Sequence, residues 1–101
     1  MEVKTKTLEE FKVKLEAIKL ELKRRYKVET IAIFGSYSRG QQTEKSDLDL
    51  LVSFSEPIGV YKFAEVEKFI SNKLGIKVDL VEKGALLPMI KKQVLTEIIV
   101  V

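Results

Sequence analysis

The stretch "KSDLDLLVSF", Lys45 to Phe54, constrains this chain more than any other, because it places two aspartates at the start of an alternating apolar strand. Leu48, Leu50, Val52 and Phe54 alternate with Asp47, Asp49, Leu51 and Ser53, the period-two pattern of a strand with one apolar face. Side chains two residues apart share a face, so Asp47 and Asp49 are expected to stand roughly 6–7 Å apart. At that distance two unit charges repel by about 2.5 kcal/mol at an effective dielectric near 20.

Around this strand the apolar periodicity places the other elements. Leu8, Phe11, Leu15, Ile18 and Leu22 make the stripe of an amphipathic helix, and Thr7 with Glu10 reads as its capping box. "ETIAIFG" is a β-branched and aromatic strand closed by Gly35, and the residues after Gly35 are expected to start a short helix. Ser55 and Pro57 read as the N-cap and first turn of a helix carrying Val60, Phe63, Val66, Ile70 and Leu74, ended by Gly75. "IKVDLVE" is a strand with Ile76, Val78 and Leu80 on one face and Lys77, Asp79 and Val81 on the other. Ala85 to Gln93 reads as a short helix, and "EIIVV" as a final strand or an edge that meets a partner. The expected fold is α/β, one domain over residues 1–101, with a small mixed sheet of about four strands flanked by helices.

Composition narrows the chemistry. The chain has neither cysteine nor histidine, which removes disulfides, thiolate nucleophiles, imidazole acid–base catalysis and nearly all zinc sites. Any metal must be a hard, oxygen-liking ion. No apolar run nears the roughly 20 residues that span a bilayer, and the start "MEVKTKTLEEFK" has no apolar export segment, so a cytoplasmic protein is expected. The net charge of +3 arises from 18 basic and 15 acidic residues spread along the chain, a weak footprint for nucleic acid. The basic Lys23, Arg24, Arg25 and Lys27 fall at a helix C-terminus, where cations favour the dipole, and no aromatics interleave with them to stack bases.

Asp79 can join Asp47 and Asp49 if the strands pair in suitable register. No Lys, Arg or His is expected to alternate with the three aspartates, so a divalent cation, Mg²⁺ or Mn²⁺, is their natural partner. Gly35 ends a strand, and the amides after it would offer a positive nest for phosphate, with the Ser36 hydroxyl as a further donor. Arg39, one turn on, either contacts phosphate or closes the loop on a backbone carbonyl or a nearby carboxylate. A phosphate cradle and metal-binding carboxylates in one short segment describe a nucleotide site.

At these residues the chain resembles the minimal nucleotidyltransferases of the DNA polymerase beta superfamily. Their signature, G-S, ten residues, then D-x-D, is matched by Gly35, Ser36, Asp47 and Asp49, and the wider pattern also by Arg39, Gly40, Ser46 and Leu50. Ser38 stands where the family usually has alanine, another small residue. The third carboxylate of the superfamily corresponds to Asp79. The resemblance implies an enzyme that binds ATP with Mg²⁺, through Gly35, Ser36 and Arg39 for the nucleotide and Asp47, Asp49 and Asp79 for metal and catalysis. It further implies transfer of AMP to a hydroxyl, a tyrosine of a helical HEPN ribonuclease toxin, for which the chain would be the antitoxin. The competing reading is a non-catalytic module that neutralises its partner by complex formation alone. Whether the chain forms homo- or hetero-oligomers stays open.

Overall fold

Thr7 opens the first helix, α1 (Leu8–Tyr26), by accepting a hydrogen bond from the Glu10 amide at 3.2 Å, the main-chain half of the expected capping box. The computed structural model describes residues 7–101. Helix α1 stops where Lys27 turns left-handed at φ 63°, with Lys23, Arg24 and Arg25 in its last turn beside the negative end of the helix dipole. Arg25 is used locally: it pairs with Glu21 at 3.4 Å and lies over the rings of Tyr26 and Phe69.

Four strands follow in a mixed sheet ordered β3-β2-β1-β4: β1 Val28–Phe34, β2 Leu48–Phe54, β3 Val78–Glu82 and β4 Ile99–Val100. β1 runs antiparallel to both β2 and β4, while β2 and β3 are parallel and joined through helix α2 (Val60–Leu74). Because β2 and β3 point the same way, their polar starts come together at one end of the sheet. On the helix-covered face, Leu48, Leu50 and Val52 are wholly buried with Ile33, against Phe11, Leu15 and Leu22 of α1 and Val66, Ile70 and Leu74 of α2. Each such side chain contributes about 1.5–3 kcal/mol of burial free energy. The opposite face is not wholly polar, since Leu51 and its cross-strand partner Ala32 are also buried.

Several expected boundaries move. Residues after Gly35 form turns, not a helix: Gly40, at φ 69°, stops the segment within one turn, too short for a helix whose nucleation is costly. Ser55 is not a helix cap; its amide donates to the Lys27 carbonyl at 2.9 Å, and α2 starts only after Gly59. The helix expected over Ala85–Gln93 divides into one 3₁₀ turn, Lys83–Ala85, and helix α3, Pro88–Glu97. Proline accounts for the break, as it fits the first helical turn and holds the preceding Leu87 extended, φ −63° and ψ 141°. With Glu97 claimed by α3, the last strand shortens to two residues. Among the described residues no helix is long and apolar enough to cross a membrane.

Candidate active site

The register between the parallel strands decides the site. Asp49 pairs directly with Asp79 across the parallel strands, so the two residues stand level on adjacent strands. Accordingly, Asp49 is pushed above its ordinary range, first by burial and then by the charges of Asp79 and Asp47, with Arg39 pulling the other way. Asp79 is exposed and Asp49 half-buried, so Asp79 presents the more accessible oxygens.

Asp47 lies just before β2. Its Oδ2 is 3.8 Å from Nζ of Lys77, which precedes β3 at the matching position, and the Leu48 amide bonds to the Lys77 carbonyl. This corrects the expectation that no cation faces the three aspartates: Lys77 pairs with one and Arg39 acts on another. Lys77 is four-fifths exposed, so its pairing is screened by solvent and offsets little of the repulsion.

Gly35 follows β1, whose last residue, Phe34, is paired with Asp49. At φ 74° it bends the chain across that carboxylate. A Cβ on Gly35 would collide with Asp49 Oδ2 and lie 2.9 Å from its Cγ, so only glycine permits this approach. The following turn closes by bonds from the Arg39 amide and the Ser38 hydroxyl to the Gly35 carbonyl, at 3.2 and 2.9 Å, and from the Gln41 amide to the Ser36 carbonyl at 2.9 Å. The amides of Ser36, Tyr37 and Ser38 have no hydrogen-bond partner among the described residues. Though no helix forms, the turn thus keeps the unpaired donors that a helix N-terminus would offer to an anion. Ser46 fixes the loop into β2, its Oγ accepting from the Thr43 amide at 2.8 Å.

Sequence reasoning missed three neighbours of this site. Tyr37 turns its ring into the core, buried and edge-on to Phe11 at 5.4 Å, and so anchors the turn to α1. Its place in the short polar segment hid it, although an aromatic between two serines was a visible signal. Lys77 was visible only as one member of an alternating face. Glu97, which pairs with Arg39 at 3.3 Å, comes from 58 positions along the chain and left no sequence signal.

As a donor set, Asp47, Asp49 and Asp79 are all-oxygen, negatively charged and mutually repelling, which fits a hard divalent cation. Among the described residues, no three or more His, Cys, Asp or Glu side chains already converge tightly enough to hold an ion, and Asp47 is paired with Lys77.

Comparison with known proteins shows the family. A family model described as "Nucleotidyltransferase domain" matches residues 15–101. A Methanocaldococcus jannaschii protein with the provisional name protein adenylyltransferase is 54% identical, over 95% of this chain and 99% of its own. The protein adenylyltransferase MntA of Thermococcus cleftensis is 46% identical, over 94% and 96%. Among solved structures, one provisionally named as a minimal nucleotidyltransferase superposes with TM-score 0.80 at 36% identity, covering 96% of this chain and 98% of that one. A toxin–antitoxin complex with AMP-PNP matches at TM-score 0.69 and 29% identity, covering 84% and 70%. With this family model, these relatives and the shared fold, the chain belongs to the nucleotidyltransferase family and is an enzyme of that type.

Proposed function

We propose that this protein transfers AMP from Mg²⁺-bound ATP to a hydroxyl, a tyrosine, of a HEPN-type toxin, and so acts as an antitoxin. The single observation that carries this reading is the in-register pair Asp49 and Asp79, lying under a glycine turn whose amides are unpaired. The partner is supported by the 46%-identical protein named MntA and by the similarity to a toxin–antitoxin complex solved with AMP-PNP.

In this reading the amides of Ser36, Tyr37 and Ser38 and the Ser36 hydroxyl bind the phosphates that become pyrophosphate. Asp47, Asp49 and Asp79 would hold the metal. Once bound, the ion would supply charge neutralisation for the triphosphate and acidify the attacking hydroxyl. The acceptor oxygen bonds to the α-phosphorus, the bond to the pyrophosphate oxygen breaks, and the hydroxyl proton passes to a carboxylate oxygen of Asp79, the most exposed of the registered pair. Gly35 keeps the phosphates next to Asp49 by leaving no side chain between them.

The test is incubation of the purified protein and its co-purified partner with ATP labelled at the α-phosphate, with Mg²⁺ or with excess chelator. Label should reach a tyrosine of the partner only with Mg²⁺. Complex formation without label transfer would favour neutralisation by contact alone.

A further inference from the structure

Arg39 leaves the glycine turn with its guanidinium held from two sides. Its Nε donates to Gln41 Oε1 and its Nη1 donates to Glu97 Oε2, each at 3.3 Å. Glu97 is the last residue of α3, a helix with no buried side chain. A guanidinium has five N–H donors, so three remain for another ligand. The same guanidinium lies close enough to Asp49 to favour its ionised form. Freed from its two acceptors, the strongest attraction left to it would be the carboxylates of Asp47, Asp49 and Asp79. It would then occupy the oxygens a metal ion needs and leave the phosphates without a cation.

The geometry points to Glu97 as a positioning residue for Arg39: the carboxylate at the end of α3 holds the guanidinium away from the three aspartates and aims its remaining donors at the nucleotide. This rests on reading the glycine turn as a phosphate cradle. It also makes the α3–β4 tail, far in sequence from the turn, part of the nucleotide site. Glu97 and Arg39 are 30% and 44% exposed, so their pairing adds little to fold stability. Loss of the carboxylate is therefore expected in ligand binding, not in unfolding.

The experiment is calorimetric titration of Mg²⁺-ATP into wild type, Glu97→Gln, Arg39→Ala and the double variant, with a urea unfolding curve for each. Glu97→Gln should weaken Mg²⁺-ATP about five- to tenfold with the unfolding midpoint nearly unchanged, and should add nothing on the Arg39→Ala background, as for residues acting through one another. Gln41→Ala, which removes the second acceptor without touching α3, should show the same pattern more weakly and serves if Glu97→Gln does not fold. Binding within twofold of wild type in the acceptor variants, or losses that add to that of Arg39→Ala, would overturn the positioning role and leave the proposed function standing. Failure of wild type to bind Mg²⁺-ATP would overturn both.

Discussion

The carboxylate of Asp49 occupies the space that a side chain on Gly35 would need: the Cγ and Cβ of Asp49 lie 2.9 and 3.2 Å from the position of a Cβ there. The glycine turn and the D-x-D strand are thus one packed unit, joined where Phe34 pairs with Asp49.

Gly35→Val should therefore do two kinds of damage. The left-handed φ of 74° costs a β-branched residue roughly 1–3 kcal/mol, and the new side chain must displace Asp49. Ser36→Ala removes one hydroxyl and leaves the turn intact. Urea unfolding together with Mg²⁺-ATP titration should rank Gly35→Val far below Ser36→Ala in both stability and affinity. Wild-type affinity in a folded Gly35→Val protein would place the phosphate cradle elsewhere.

Asp49 also sets a pH dependence. Its carboxyl is raised above 3.8 by burial and by Asp79 and Asp47, so the folded state holds this proton more tightly than the unfolded chain. The folded protein thus loses stability as pH rises from the unfolded value through the raised folded one, and the loss is complete above it. Asp49→Asn removes that penalty. At about pH 7 the ligand-free variant should be more stable than wild type, and the difference should shrink towards about pH 3.5, where both states mostly hold the proton. Urea unfolding at the two pH values checks this, and a less stable variant at neutral pH would contradict it.

The three aspartates should separate by role. Asp79→Asn keeps the shape of the exposed carboxyl and is expected to leave Mg²⁺-ATP binding within about tenfold, or about 1.4 kcal/mol, while AMP transfer falls by orders of magnitude. Asp49→Asn should lose both, despite its gain in ligand-free stability. Titration and label transfer on the same preparations decide this; undiminished transfer by Asp79→Asn would assign the proton to another group.

Tyr37 offers a test of how firmly the turn must be held. Its buried ring packs edge-on against Phe11, so Tyr37→Ala should cost about 3–5 kcal/mol. Tyr37→Phe keeps the ring and should remain close to wild type in stability and ATP affinity. If Tyr37→Phe alone abolished ATP binding, the hydroxyl would have a role beyond anchoring.

Much of the site was legible because its signals are local. The alternation from Leu48 to Phe54 marked the strand that carries Asp49, although Asp47 falls just before it, and a glycine at the end of β1 marks a turn that other residues resist. The apolar stripes of α1 and α2 likewise named most of their buried residues, from Phe11 to Leu22 and from Val66 to Leu74, but Val60, expected in the α2 stripe, is exposed at the start of that helix. Element ends were less legible, as at Pro88, where a proline inside an apolar pattern began the helix that was expected to start at Ala85.

What the order of residues determined by itself was the four strands, the helices α1 and α2 with most of their apolar faces, and a glycine turn ahead of a D-x-D segment. Only the tertiary structure decided that Asp79 would stand level with Asp49, that Lys77 would reach Asp47, and that Arg39 would be held by Glu97. Those three relations join segments remote in sequence. Their geometry is set by the register of parallel strands and the path of α3, which arise when α1 and α2 close the core, and no local periodicity encodes that register.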